Sequence, residues 1–290
     1  TGFFMKEEIE SILNEIINQR KNPLLLLNLS EVSPSSVLKT EQILRGVKFK
    51  ELDVLLQTYG GDIHSAYNIV KLIRKSADRV NIIVPLFAKS AGTLICLCGD
   101  KIIMSDISEL GPLDTQIAES RRGDVEYQSA LNGFKALEQI QAHALENIDL
   151  ATTMIVEKSG PKMSEAIDLA IKFSGETSAC LYNQLDPMDI GKYKRALEIA
   201  ERYGHIILLR FMKWPEEKAH KVSLSLIYDY PSHDSIIDRE ELQGLGLPIE
   251  EIKVDELENL SNLARLLPFH EDLIELLQSR PRKTKKKIVR

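Results

Sequence analysis

Cysteine is scarce in this sequence: the 290 residues include three cysteines, of which Cys96 and Cys98 lie in an apolar segment. Three cysteines offer no disulfide framework, so we interpret this pair as small core residues of a protein from a reducing compartment. The sequence also contains no metal-binding CxxC pair and no HExxH motif. We therefore expect neither a metal ion nor another cofactor.

Long apolar runs are absent as well. The longest, such as 23–29 and 205–212, fall well short of the roughly 20 residues that a membrane-spanning helix needs. The first residues show neither the basic region nor the apolar region of a secretory signal. These absences predict a cytoplasmic protein.

The formal net charge of -6 argues against a nucleic-acid binder as a whole, but residues 281–290 carry six Lys or Arg. We expect this basic tail to be a solvated, disordered segment. The alternative is weak electrostatic contact with nucleic acid or with an anionic membrane, to which the protein would then be peripheral.

Apolar runs alternate with helix-like segments in the first part of the chain, which predicts an α/β fold. The predicted strands are 24–29, 52–58, 80–85 and 101–104, and the helices between them are 34–46, 63–75 and 90–98. Strand and helix alternating across short turns favour a parallel sheet that is flanked by helices.

The remaining segments complete the predicted organisation. We expect an N-terminal amphipathic helix at 1–22, a core at 23–120 and 190–260, a helical insertion at 121–189, a C-terminal helix at 261–280 and the basic disordered tail at 281–290. The insertion could serve as a lid, as an oligomer contact or as a partner-binding surface, and the sequence does not choose between them.

Two glycine-containing turns follow predicted strands, "TYGGD" (58–62) and "FAKSAG" (87–92). In parallel sheets, functional groups gather at the carboxyl ends of the strands. Ser90 in the second turn could act as a nucleophile, with the backbone N–H groups of Gly61 and Ala91 as an oxyanion hole. The alternative is that Ser90 is an ordinary N-cap residue.

The segments 52–117 and 230–249 together resemble the Clp-protease/crotonase superfamily, and more closely the serine dehydrogenase proteinase family, relatives of signal peptide peptidase A. "YGGD" is similar to the family's "PGG" turn with Tyr59 in place of proline, and "AKSAGT" is similar to its nucleophile turn. "SELGPLD" and "YPSHDSIIDREELQGLGLPI" resemble the segments that line and close the site. The resemblance implies a ββα superhelix, Ser90 as the nucleophile, a peptide or protein substrate and a homo-oligomer.

The group that would take the proton of Ser90 remains open. The histidine that follows the nucleophile in the Clp subunit has no counterpart in "GPLDTQI". "IGKYKRALE" resembles the segment around the lysine of signal peptide peptidase A, which would make Lys194 the base, and Lys135 and Lys158 compete with it. An unprotonated lysine base requires desolvation or nearby positive charge, and otherwise each of these is a solvated surface residue.

A histidine is the other candidate for the base. Asp234 aligns with the catalytic aspartate of the Clp subunit, so His233 and Asp234 would lie beside the site. An imidazole needs no special tuning to act as a base near neutral pH. The alternative is that His233 is a turn residue that caps the following helix.

The sequence thus predicts a serine peptidase that acts through an acyl-enzyme on Ser90 with a lysine or histidine base. A non-catalytic scaffold or adaptor of the same fold is the first alternative. A crotonase-like acyl-CoA enzyme, which uses two backbone N–H groups without a nucleophile, is the second.

Overall fold

The computed structural model describes residues 2–114, 116–121, 124–160 and 162–278, and the chain divides into two compact units. Unit 1 comprises Thr1–Leu113 and Glu201–Arg290, and unit 2 comprises Asp114–Ala200. Unit 2 is therefore wider than the insertion predicted at 121–189, and it begins with strands rather than with a helix.

Helices and strands alternate along most of the described chain. Their bounds are α1 Gly2–Arg20, β1 Leu24–Leu29, α2 Pro34–Leu44, β2 Phe49–Thr58, α3 Ile63–Ser76, β3 Ala77–Val84, β4 Phe87–Ala88, α4 Ala91–Cys96, β5 Lys101–Met104, β6 Glu109–Leu110, β7 Gln116–Arg121, β8 Asp124–Ser129, α5 Ala130–Ser159, α6 Met163–Tyr182, α7 Pro187–Arg210, α8 Glu216–Tyr228, α9 Arg239–Gly244, β9 Ile249–Glu251, α10 Val254–Leu266 and β10 Leu273–Leu277.

A mostly parallel sheet forms the centre of unit 1, in the order β10-β1-β2-β3-β5-β9. The short strands β4 and β6 extend it, since β4 pairs in parallel with both β2 and β6. The four inner strands are almost entirely buried, which is typical of a sheet covered on both faces. The predicted parallel sheet flanked by helices is confirmed.

The C-terminal helix predicted at 261–280 is wrong. Helix α10 ends at Leu266, and Leu273–Leu277 form β10, which pairs antiparallel with β1. Without β10, the outer edge of β1 would leave a row of backbone groups unpaired. A short apolar run such as 273–277 does not by itself distinguish a strand from a buried helix.

The amphipathic helix predicted at the start of the chain is present as α1. Ile9, Leu13 and Ile16 are buried in a cluster that also contains Leu260 and Leu263 of α10. The period of about 3.6 residues places these side chains on one face of the helix. Packing of α1 and α10 thus covers one face of the sheet.

A buried ion-pair network fixes the end of α1. Arg20 Nε lies 2.5 Å from Asp53 Oδ2, and Arg20 Nη1 lies 2.9 Å from Glu256 Oε2. Burial alone would lower the pKa of Arg20, but the hydrogen bonds and charges of the two carboxylates outweigh it and raise the pKa. Asn22 and Asn81 donate further hydrogen bonds to Asp53 Oδ1.

Unit 2 contains the strand pair β7–β8 and a pair of long helices, α5 and α6. Helix α6 buries only small residues, at every fourth position: Ala166, Ala170, Ser174 and Ser178. Its larger apolar residues are exposed instead, among them Leu169, Ile171 and Phe173. An apolar pocket of about 430 Å³ lies between the helices, lined in part by Leu150 and Phe173.

Across the part of the chain that the structure describes, no helix combines the length and the apolar character that crossing a bilayer demands.

Candidate active site

Ser90 lies in a tight turn between β4 and α4. Gly92 N donates a hydrogen bond to Lys89 O at 2.7 Å, which closes a four-residue turn. Ser90 has φ 48° and ψ -113°, the conformation of the first central residue of a type II′ turn. Glycine usually occupies this position because a Cβ is disfavoured there.

The N-cap alternative for Ser90 can be compared with a serine that does cap a helix. Ser33 has an extended backbone, and its hydroxyl accepts a hydrogen bond from Ser36 N in a capping box. The Ser90 hydroxyl accepts no such bond from the described first turn of α4. The geometry therefore does not fit an ordinary N-cap.

The glycine turn lies directly against Ser90. Gly60 and Gly61 have φ values of 112° and 136°, which other residues rarely adopt. A Cβ built on Gly60 would lie 2.9 Å from Ser90 Cβ and 3.4 Å from Ala91 N. The structure thus brings the two turns singled out in the sequence into contact.

The two predicted oxyanion donors, the backbone N–H groups of Gly61 and Ala91, are not used by the bridge or the helix to which they belong. Gly61 forms a parallel bridge with Val32, in which Val32 N donates to Gly60 O and Asp62 N donates to Val32 O. Val32 thus bonds to the two neighbours of Gly61, and in a parallel bridge of this kind the N–H of the residue between them, Gly61, points away from Val32. The N–H of Ala91 belongs to the first turn of α4, where backbone donors have no acceptor within the helix.

Thr93 is a positioning residue that the sequence analysis missed. Its buried hydroxyl lies 2.9 Å from Ala88 O and 2.7 Å from Gly111 O. These bonds join α4 to the strand that precedes Ser90 and to the "GPLD" segment. The only signal in the sequence was a threonine inside an otherwise apolar helix, which often marks a hydroxyl bonded to a carbonyl.

An ion pair on Lys89 is a second feature that the sequence did not reveal. Lys89 Nζ lies 2.7 Å from Glu109 Oε1, and both side chains are largely buried. A Cβ on Gly111 would lie 2.8 Å from Lys89 Cδ, so this glycine makes room for the lysine stem. Lys89 thus holds β4 and β6 together beside Ser90.

His233 and Asp234 belong to unit 1, as Ser90 does. The segment that contains them is fixed where Ile237 exchanges two backbone hydrogen bonds with Leu110, each of 3.0 Å. Leu110 pairs in turn with Ala88, so roughly 10 Å, or two strand spacings, separate Ala88 from Ile237. His233 is half-buried and Asp234 is exposed.

The alternative role for His233, a cap of the following helix, is filled by another residue. Asp238 is the N-cap of α9, and its side chain accepts a hydrogen bond from Glu241 N at 2.9 Å.

The three candidate lysines all belong to unit 2. Lys194 lies on α7 with 64% of its side chain exposed, and its Nζ is 3.9 Å from Glu198 Oε1. Lys135 and Lys158 lie on α5, where Lys135 is half-buried and Lys158 is exposed.

The cysteines that follow Ser90 have no nucleophilic character. Burial raises the pKa of the Cys98 thiol to about 12 and raises that of Cys96 strongly as well. Both side chains are fully buried, as the sequence predicted. Within the described ranges, no group of three or more His, Cys, Asp or Glu side chains could hold a metal ion.

A strained serine at a strand-to-helix turn, packed against a glycine pair, is typical of hydrolases with a serine nucleophile. Residues 17–177, more than half of the chain, match the family described as ClpP-like SDH-type serine proteinase. The chain belongs to this family. The resemblance drawn from the motifs around Ser90 is thereby confirmed.

Two relatives come from Methanocaldococcus jannaschii. Uncharacterized protein MJ0137 is 28% identical over 228 residues, which cover 77% of this chain and 63% of that protein. Uncharacterized protein MJ1495 is 31% identical over 84 residues, which cover 28% of this chain and 29% of that protein. The chain thus matches less than two thirds of the length of either relative.

Two solved structures are similar to this chain. A ClpP1 variant from Listeria monocytogenes has a TM-score of 0.39 and 12% identity, covering 84% of this chain and 97% of its own. The 1510-N membrane-bound stomatin-specific protease, in complex with a substrate peptide, has a TM-score of 0.31 and 19% identity, covering 51% and 65%.

Proposed function

We propose that the chain is a serine peptidase that hydrolyses peptide bonds through an acyl-enzyme on Ser90. The observation that carries the proposal is the strained backbone of Ser90, whose turn lies against the glycine pair. Strained residues persist only where the surrounding structure holds them, and they cluster at active sites. Family membership supports the same chemistry.

The reaction follows from the groups around the turn. Ser90 Oγ attacks the carbonyl carbon of the substrate, and its proton passes to a general base. The N–H groups of Gly61 and Ala91 donate hydrogen bonds to the oxygen that gains negative charge. The C–N bond then breaks as the base returns the proton to the leaving amine, and water hydrolyses the remaining ester.

Reaction with a fluorophosphonate tests the nucleophile directly. We expect the wild-type protein to be labelled and to cleave a fluorescent casein, and the Ser90→Ala variant to do neither. Ser33→Ala is the matched control, because it removes a serine that does cap a helix. Labelling of Ser90→Ala at the wild-type rate would contradict the proposal, and a folded wild-type protein that is never labelled would favour the non-catalytic scaffold.

We propose that the base is His233 supported by Asp234, or one of the lysines Lys194, Lys135 and Lys158. Half-burial and membership of the same unit as Ser90 support His233. Among the lysines, half-burial favours Lys135, because a neutral amine requires an environment that disfavours its charge.

Single substitutions decide between these bases. The variants are His233→Gln, Asp234→Asn and the replacement of each of the three lysines by Met. Lys172→Met is the control, because Lys172 is an exposed lysine of α6. We expect one variant to lose about 100-fold or more in kcat/KM, as loss of a general base does. A rising limb of kcat/KM near pH 6.5 would indicate an imidazole, and a limb above pH 7 would indicate an amine.

We propose further that the protein forms a homo-oligomer, and that α6 contributes to the contact. Leu169 and Phe173 lie four residues apart, and therefore on the same side of the helix, and each is more than half exposed. A 20-residue helix is about 30 Å long and about 10 Å wide, so two helices side by side present a face of about 600 Å². That face is comparable with the roughly 800 Å² that each partner buries in a standard interface.

Light scattering after gel filtration tests this contact. We expect an oligomeric wild-type protein and a smaller species for the double variant Leu169→Glu with Phe173→Glu. Leu38→Glu is the control, since Leu38 is an exposed apolar residue of unit 1. An unchanged mass for the double variant would rule out this face.

The predictions for the basic tail, 281–290, lie outside the described residues. We propose that the tail binds anionic vesicles or nucleic acid weakly. Removal of the tail is expected to abolish this binding because it removes the positive charges, and raised salt is expected to abolish it because exposed charges are screened.

A further inference from the structure

Three aromatic side chains form a cluster in unit 1: Tyr59, Phe87 and Phe269. The ring centroids of Tyr59 and Phe87 are 4.5 Å apart, those of Phe87 and Phe269 are 5.8 Å apart, and those of Tyr59 and Phe269 are 6.4 Å apart. Distances of 4.5–7 Å are those of aromatic pairs that attract each other. The three residues thus pack together although they are distant in sequence.

This aromatic cluster lies beside the candidate active site. Tyr59 directly precedes Gly60, and Phe87 is three residues before Ser90. Because a Cβ on Gly60 would be 2.9 Å from Ser90 Cβ, the Tyr59 Cα lies within about 8 Å of Ser90 Cβ.

The loop that carries Phe269 is held in place by dedicated hydrogen bonds. Asn28 Nδ2 donates to Pro268 O at 2.7 Å and to Glu271 O at 2.9 Å. The carboxylate of Asp272 accepts hydrogen bonds from the backbone N–H and the hydroxyl of Ser30. Phe269 is therefore fixed at the carboxyl end of β1, the edge of the sheet where β2 and β4 also end.

The cluster is open to solvent even though its members pack on one another. Phe87 is only 8% exposed, whereas Tyr59 is 53% and Phe269 is 39% exposed. Phe87 thus forms the floor, and the other two rings leave apolar area in contact with water. Apolar area exposed at the edge of an active site is typical of a surface that a ligand covers.

We propose that the aromatic cluster binds an apolar or aromatic side chain of the peptide substrate, within about three residues of the bond that is cleaved. An extended peptide advances about 3.3 Å per residue, so a chain whose carbonyl lies on Ser90 reaches the cluster over that span. This inference rests on the proposed peptidase function. It defines the substrate class as extended segments with an apolar residue close to the scissile bond.

Quenched peptides test the specificity. One set carries Phe in turn at each of the three positions on either side of the scissile bond, and a matched set carries Asp there. We expect the wild-type protein to have a higher kcat/KM for the Phe peptide than for the matched Asp peptide at one or two positions. At those positions we expect Phe269→Ala and Tyr59→Ala to lower kcat/KM for the Phe peptide by about tenfold, because an apolar contact is lost. The ratio of kcat/KM for the Phe peptide to kcat/KM for the matched Asp peptide should therefore fall in both variants.

Two further variants control for damage to the fold. Tyr59→Phe retains the ring and is expected to retain the preference. Tyr182→Ala removes a ring that is also 39% exposed but lies on α6, and it is expected to change nothing. Equal cleavage of Phe and Asp peptides by the wild-type protein, or an unchanged preference in folded Phe269→Ala, would overturn the inference.

A binding experiment separates failure of this inference from failure of the peptidase proposal. The anisotropy of labelled Phe and Asp peptides is measured with Ser90→Ala and with Ser90→Ala combined with Phe269→Ala, which requires no hydrolysis. Tighter binding of the Phe peptide that depends on Phe269 supports the aromatic site even if the wild-type protein proves inactive. Equal binding of the two peptides overturns it even if Ser90 proves to be the nucleophile.

Discussion

The backbone of Ser90 adopts a conformation that suits glycine, and this lowers the free energy of unfolding. A non-glycine residue in such a conformation costs about 1–3 kcal/mol. The proposed function nevertheless requires a hydroxyl at this position, between β4 and α4, which glycine cannot supply. Function and stability are therefore expected to oppose each other at this residue.

Replacement of Ser90 by glycine and by alanine tests that opposition. We expect Ser90→Gly to be more stable than Ser90→Ala by about 1 kcal/mol, the reverse of the usual order of these residues, since φ of 48° suits glycine. At the control position, Ser33→Ala is expected to cost about 1 kcal/mol through loss of its cap. Urea denaturation measures all three, and a Ser90→Ala variant more stable than Ser90→Gly would refute the strain.

The three cysteines are expected to differ in reactivity. Burial raises the pKa of Cys98 to about 12 and prevents access to Cys96, whereas Cys180 is exposed on α6. We expect one equivalent of maleimide to react with the native protein, and none with Cys180→Ser. Labelling of a second cysteine without denaturant would show that α4 opens locally.

At the scale of elements, short connections determine where Ser90 lies. Strand β4 has two residues and α4 has six, so neither is stable by its own length. The hydroxyl of Thr93 and the ion pair between Lys89 and Glu109 hold these short elements together.

Substitution of Thr93 by valine tests this support. We expect a loss of about 1–3 kcal/mol in stability, because the substitution removes the buried hydroxyl whose single hydrogen Ala88 O and Gly111 O share. We also expect kcat to fall more than KM rises, since displaced backbone donors weaken the transition state most. Thr40→Val is the control, because the hydroxyl of Thr40 donates to the carbonyl of Ser36 within its own helix. Equal effects of the two variants would refute a positioning role.

At the scale of the whole molecule, the network around Arg20 links the first helix, the sheet and the last helix of unit 1. Asp53 and Glu256 are almost fully buried, so loss of their cationic partner leaves two desolvated charges. We expect Arg20→Met to cost about 3–5 kcal/mol. Arg45→Met breaks the solvent-exposed pair with Glu41 and is expected to change stability far less than Arg20→Met does. Chemical denaturation that gave similar losses for the two variants would contradict this assignment.

Unit 1 is also expected to lose stability at alkaline pH. Burial, with the nearby charge of Glu241, raises the pKa of Tyr230, and burial raises the pKa of Cys96 and Cys98 above their ordinary value of 9.0. Because the folded pKa values are raised, the stabilisation is complete below about pH 9 and is lost as the pH rises towards 12. Denaturation midpoints from pH 7.5 to 11 check this, and Cys96→Ala with Cys98→Ala should flatten the decline.

Local patterns in the sequence were sufficient to predict most of the elements of unit 1. The strands at 24–29 and 101–104 and the helix after Gly61 have nearly the predicted bounds, because buried strands and one-sided helices have distinct periods. The failure at 261–280 arose because pairing with β1, more than 240 residues earlier, determines the structure of 273–277. The strands β4 and β6 were missed because two residues carry no periodic signal.

The sequence by itself determined the parallel sheet, the two turns after its strands and the serine in the second of these turns. The tertiary structure alone decided that Gly60 contacts Ser90, that Thr93 and Lys89 hold the turn, and that Tyr59, Phe87 and Phe269 meet at its edge. The physical reason is that periodicity and turn chemistry are local properties, whereas contacts between the ends of different strands depend on how the sheet is assembled.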